Sequence, residues 1–147
     1  MIYDALGLFS DSQAITATAP STNTIDLKAT GTPYGGVQLV RDIGKGECLN
    51  LSVTVNEAFN NLTSLTISVE TDDNSAFSSA ATVFTTPAIP LASLVLGYSV
   101  PMLTEFPEGT KEQYVRLKYT VAGTAPTTGK ITAGVVAARQ TNFVGGQ

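Results

Sequence analysis

The run Tyr114-Val-Arg-Leu-Lys-Tyr-Thr-Val-Ala-Gly123 puts Val115, Leu117, Tyr119 and Val121 at every second position, with polar residues between them. Side chains alternate across an extended chain, so this spacing buries one face of a strand and leaves the other wet. The same period recurs in Leu49, Leu51, Val53 and Val55, in Leu65, Ile67 and Val69, and in Ile131, Ala133, Val135 and Ala137. Four such runs predict an antiparallel scaffold with one solvated face per sheet.

Working outward, breaker residues divide the chain at about the spacing of a β-sandwich. About eight strands are expected, near Ser12–Thr18, Thr24–Lys28, Cys48–Val55, Ser64–Glu70, Thr82–Thr86, Ser99–Phe106, Tyr114–Val121 and Lys130–Ala138. Ala88–Leu96 carries Pro90 at a plausible first helical position, and Asp73–Ser79 has Phe77 as an anchor, so each allows one short helical turn. The predicted fold is all-β, an antiparallel two-sheet sandwich of jelly-roll type, which leaves few exposed edges. With 147 residues, the natural reading is a single domain over 1–147, with an N-terminal arm (1–9) and a short C-terminal tail (141–147).

Composition narrows the chemistry. Only 14% of residues are charged and 43% are hydrophobic, so the surface must be finished with neutral polar groups, a role that 21 threonines fill. Net charge is −4 and Lys and Arg form no cluster, which argues against a nucleic-acid partner. No stretch is long and apolar enough for a membrane span, and the segment Met1–Phe9 lacks the leading positive charge of a secretory signal. Cys48 is alone and is read as a small core residue. There is no histidine, so neither a histidine base nor a histidine-ligated metal is available; no cofactor is expected and the chain is read as a non-enzyme.

The remaining chemical motifs have plainer readings. Gly123-Thr-Ala-Pro-Thr-Thr-Gly129-Lys130 has five residues between its glycines where a phosphate loop has four, and is expected to be a hairpin loop. Ser99 in Gly97-Tyr98-Ser99 lacks the closing glycine of a nucleophile elbow. Asp72-Asp73-Asn74 lacks the alternating spacing of a calcium loop and reads as a turn bonded to its own backbone. Asp42, Glu47, Glu70, Glu105 and Glu108 are the acids from which a glycosidase pair could come. Phe59, Phe77, Phe84 and Tyr119 read as core. What lies outside the strand periodicity is the arm, the Gly31–Gly36 loop and the tail, so the candidate partner contacts are Met1, Ile2, Tyr3, Leu6, Phe9, Tyr34 and Phe143.

Several longer pieces occur in a telling order: Tyr3-Asp-Ala-Leu-Gly-Leu-Phe-Ser-Asp-Ser-Gln-Ala-Ile15, Ser21-Thr-Asn-Thr-Ile-Asp-Leu27, Arg41-Asp-Ile-Gly44, Thr71-Asp-Asp-Asn-Ser-Ala-Phe77, the Tyr114–Gly123 run, Gly129-Lys-Ile-Thr-Ala-Gly134 and Arg139-Gln140. In this order the chain resembles the capsid cement proteins of short-tailed bacteriophages, over nearly its whole length. The resemblance implies a jelly roll that forms a homodimer, made in the bacterial host cytoplasm and placed on the outer surface of an icosahedral virion against the major capsid protein. The link Lys28–Leu39 is longer than the resemblance implies, so only the arm and the strand framework carry over. Two other readings stand beside it. One is a virion accessory or carbohydrate-binding module, with Tyr34, Tyr98 or Phe143 lining a cleft; the other is a hydrolase using two carboxylates.

Overall fold

A computed structural model describes residues 2–28, 30–45 and 49–138. The chain forms β1 (Tyr3–Ala14), β2 (Ala19–Pro20), β3 (Ile25–Asp26), β4 (Leu51–Glu57), β5 (Leu62–Asp72), β6 (Ala81–Thr85), β7 (Ile89–Pro90), a 3-10 turn (Leu91–Ser93), β8 (Tyr114–Gly123) and β9 (Lys130–Val136). One sheet runs β1-β9-β4; the other runs β2-β8-β5-β6, with β3 also on β8 and β7 also on β5. All pairings are antiparallel. β4 pairs with β9 while β5 pairs with β8, the nested pattern of a rolled-up ribbon.

The alternating residues account for the stacking. Leu51, Val53, Val55, Ile131 and Ala133 from one sheet meet Leu65, Ile67, Val69, Val115, Leu117 and Tyr119 from the other in a single buried cluster. Tyr119 is the one phenol in it. Its hydroxyl lies 2.8 Å from Ser10 Oγ, so the buried polar tip is satisfied, and burial pushes its ionisation upward so that it stays a neutral donor. Alternation in β9 ends at Ala133: Val136 is buried and Ala137 exposed.

Four expectations need correction. Residues Tyr3–Phe9 are not a free arm; they are the first half of the edge strand β1, paired with β9. Ser99–Phe106 is not a continuous strand. Its ends do follow β4, with Val100 N–H donating to Val53 O at 2.9 Å and Leu51 N–H to Thr104 O at 2.8 Å, but a turn at Pro101–Met102 interrupts the pairing. Proline has no N–H to give a ladder, so the break falls where it stands. Gly123–Gly129 is not a hairpin, because β8 and β9 belong to different sheets and the loop crosses between them. Asp73–Ser79 is a pair of turns rather than a helical one, although Phe77 anchors it as expected, buried under Arg116 whose guanidinium sits 4.0 Å from the ring centroid.

The Pro90 segment does hold a short helical turn, with Pro90 as its cap rather than its first residue. Phe59 and Phe77 are buried as expected and Phe84 packs against the core from a partly exposed position. Met1, Glu47, Cys48, Phe143 and the whole tail 141–147 lie outside the described residues.

Candidate functional site

β1 is a strand built to be irregular. Tyr3 faces Val136 and Leu8 faces Gly134, so the four residues Asp4–Gly7 stand opposite Val135 alone. A side chain at Gly7 has no room, because its Cβ would fall 2.7 Å from that of Val135. The Asp4 carboxylate accepts the Leu6 N–H at 3.1 Å and closes the bulge. Leu6 is thereby thrown outward, 90% exposed, with Ile2 at 76% and Tyr3 half-buried. Phe9 is the opposite case. It is wholly buried, its ring 5.9 Å from that of Phe106, so it is a core residue and not a partner contact.

Beneath the bulge lies a groove of about 440 Å³ whose apolar walls come from Leu6, Ile25, Leu27, Leu49, Phe106 and Val135. A second depression of about 380 Å³ shares Asp4, Leu49 and Val135 with it and continues past Ile2 and Tyr3. Charge is confined to Asp4, Asp26 and Lys28. Lys28 Nζ pairs with Asp26 Oδ2 at 2.8 Å, which with the Lys28 N–H holds the Asp26 carboxyl down to about 2. That pair is solvated, so it shapes the groove more than it stabilises the fold.

A long loop leaves the groove wall at Lys28 and returns to it at Ile43. Its tip is a turn in which Gly36 N–H donates to Pro33 O at 2.9 Å while Gly35 takes φ 71°, the left-handed conformation glycine tolerates. Tyr34 is fully exposed there, as are Val37 and Val40 to a large degree. These last two were not legible as contacts, because an apolar residue in a loop without periodicity carries no sign of whether it turns in or out.

The motif Arg41-Asp42-Ile43-Gly44 is the clamp that fixes the loop. Arg41 Nε donates to Lys28 O at 2.8 Å, and the Asp42 carboxylate accepts the Gly109 N–H at 3.0 and 2.9 Å. Ile43 packs on the core, and Gly44 lies so close to the Pro107 carbonyl that a Cβ would overlap it. Gly44→Ala is therefore expected to cost about 1–3 kcal/mol through backbone displacement. Urea unfolding would register the loss, and faster exchange of the Gly109 amide would show that the clamp had opened.

Two of the candidate acids, Glu70 and Asp42, are committed to the fold. Glu70, almost wholly buried, accepts Arg116 at 2.8 Å and Lys118 at 3.3 Å. Asp42 is held by the clamp, while Glu108 shares a cleft of about 380 Å³ with Glu112. The N–H groups of Thr127 and Thr128 in the β8–β9 loop donate to Asn60 Oδ1 at 2.8 and 3.1 Å, so the glycine-bounded loop presents them to a side chain. Ser99 bridges to Thr54 beside β4. Tyr98 lines a small groove of about 150 Å³ with Pro87, Pro101 and Met102, and Tyr34 is not part of it.

Asp72 closes the Asp72–Ser79 turn, accepting N–H groups from Asn74 and Ser79, each at 2.8 Å, and the Ser79 hydroxyl at 3.1 Å. The Asn74 N–H is the largest of the influences that hold its carboxyl below the usual 3.8. A carboxylate depressed on folding stabilises fully above its unfolded pKa, and the contribution disappears as pH falls through the folded value. Acid titration of the urea midpoint should thus show a loss beginning below about pH 4, and the Asp72→Asn variant should lack that part of it.

A family model described as Bbp16 matches residues 9–138. The chain belongs to the Bbp16 family. No curated protein matches it. The Bbp16 match opens at the buried Phe9 and runs through β9, so it takes in both sheets, the long loop and its Arg41–Gly44 clamp. The exposed Ile2 and Leu6 precede the matched span. Among the described residues, no three potential metal ligands of the His, Cys, Asp or Glu type converge, and no helix is long and apolar enough to cross a membrane.

Proposed function

We propose that this member of the Bbp16 family is a virion structural protein that cements the outer surface of a phage icosahedral capsid, bridging neighbouring major capsid protein subunits. The observation that carries the reading is the exposure of large apolar side chains on two segments that meet the same groove, the bulged edge strand and the loop between Lys28 and Ile43. Ile2 and Leu6 flank the groove, and Tyr34, Val37 and Val40 ride on the loop that springs from its wall. Large apolar side chains exposed beside an apolar groove are candidates for contact with a partner. The resemblance to capsid cement proteins, over nearly the whole chain, supports a capsid shell as that partner.

The physical mechanism is repetition. A rigid sandwich with few charges buries neutral surface on a shell without desolvating ions. A two-fold dimer holding two shell subunits gains effective concentration for its second contact, so modest single contacts add to a firm clamp. For the sugar-binding alternative, Tyr98 lines a groove of only about 150 Å³, Tyr34 is not part of it, and Phe143 lies outside the described residues. Co-sedimentation of the protein with expanded, undecorated shells tests the proposal. A saturable plateau at fixed copies per capsid subunit is expected; a folded protein that stays in the supernatant at micromolar concentration overturns it.

A further inference from the structure

The groove beneath β1 and the depression that continues past Ile2 form one trough, since Asp4, Leu49 and Val135 belong to both. Apolar surface is left uncovered along it: Ile2 stands out in solvent, Leu49 is 37% exposed and Val135 is only half-buried. Its charged groups are Asp4, Asp26 and Lys28. Asp26 is paired with Lys28, whereas Asp4 enters no ion pair among the described residues. The trough therefore suits an occupant that is apolar and carries a cation towards Asp4.

The chain itself leaves the sandwich at this rim. β9 ends at Val136, and the Ala137 N–H donates to Ile2 O at 3.2 Å, so Val136 and Ala137 line the trough beside Ile2, Tyr3 and Asp4. The segment 139–147, Arg-Gln-Thr-Asn-Phe-Val-Gly-Gly-Gln, follows directly and lies outside the described residues. Its composition is the one the trough asks for. Arg139 is its one cation, two positions past Ala137, and Phe143-Val144 is its one apolar pair, six and seven positions past. Six extended residues span about 20 Å, and the rim from Tyr3 to Gly7 is at most about 13 Å by the same measure, so Phe143 can reach any point of the trough.

We infer that the segment 139–147 turns back into this trough, with Arg139 beside Asp4 and Phe143-Val144 against Leu49 and Val135. Tethering selects this occupant over a diffusing one. A segment joined to the rim is present there at an effective concentration on the order of millimolar, far above that of a partner in dilute solution. The contact needs neither a second copy nor a shell, so it goes beyond the capsid reading and does not rest on it. The segment and the Ile2, Tyr3, Asp4 and Leu6 rim all lie outside residues 9–138 matched by the family model, so changes in the segment should leave the common framework folded.

The test is a nuclear Overhauser measurement on the full chain, alone in dilute solution, labelled to resolve the Phe143 ring protons and the Leu49 and Val135 methyls. Cross-peaks between ring and methyls are expected, and Phe143→Asp should abolish them and shift those methyl resonances. Trypsin cleavage after Arg139, read as release of the peptide 140–147, should be more than about tenfold faster in Phe143→Asp, because loss of a buried phenyl opens the segment. If that variant does not fold, the cross-peaks of the unaltered chain still decide. Absent cross-peaks, or equal cleavage rates in two folded proteins, would overturn the inference. So would cross-peaks found only between differently labelled chains in a mixed sample, which place the segment in a second copy. No shell enters the experiment, so its failure would leave the co-sedimentation result to stand or fall separately.

Discussion

Phe9→Ala is expected to destabilise the protein by about 3–5 kcal/mol, the range for removing a buried aromatic side chain from a packed core. Phe9 is wholly buried where β1 meets the second sheet, and its ring tilts at 41° against Phe106. Its removal would leave Phe106, Leu51 and the other members of the cluster facing a void that β1 cannot close, because β1 is held to β9. A fall in the urea midpoint with an unchanged slope would show it. An unaltered midpoint would mean that Phe9 contributes nothing to the core.

The second large effect concerns binding and not folding. Leu6→Asp combined with Tyr34→Asp alters two exposed side chains that support nothing beneath them, so each should move stability by no more than about 0.5 kcal/mol. If these residues anchor the shell contact, each is an interface hot spot worth about 2 kcal/mol or more, and even one such loss weakens binding about 30-fold. The expected result is a protein with the parental unfolding curve that no longer co-sediments with shells. Retained binding by the double variant would move the contact off the groove and loop. Phe9→Ala and this variant therefore separate two roles that the sequence had placed together.

The reason they were placed together is instructive. Met1–Phe9 is apolar apart from Asp4 and lacks clean alternation, which from sequence reads as an arm. The alternation is missing because β1 is bulged, and a bulge inserts residues that shift which side chain points inward. Asp4–Gly7 spend four residues against one of β9, so Leu6 faces out and Phe9 faces in without any regular period between them. Ser99–Phe106 failed for a related reason. Its apolar residues were legible, and so was Pro101, which gives the ladder no N–H and marks the turn at Pro101–Met102; only the pairing of both ends with β4 was not.

The Arg41–Gly44 and Thr71–Phe77 pieces show what motif reading can and cannot reach. Asp72 was expected to bond its own turn, and does, because its partners Asn74 and Ser79 are local. Asp42 was visible only as an unassigned acid. Its partner Gly109 lies 67 residues away, and no local pattern announces a contact of that separation.

From the sequence alone came the all-β class, the two-sheet sandwich, the inward faces of β4, β5 and β8 and the commitment of Phe59, Phe77 and Tyr119 to the interior. These follow from a period of two, a property of neighbouring residues that survives in a one-dimensional record. Only the tertiary structure decided that Phe9 is core while Leu6 is surface, that the groove beneath β1 and the loop bearing Tyr34 adjoin one another, and that the chain leaves β9 at the rim of the adjoining depression. Each of these depends on which distant segment lies alongside. Pairing across a sandwich is settled by the packing of the whole chain, and the same residues in sequence order are compatible with more than one partner for every edge.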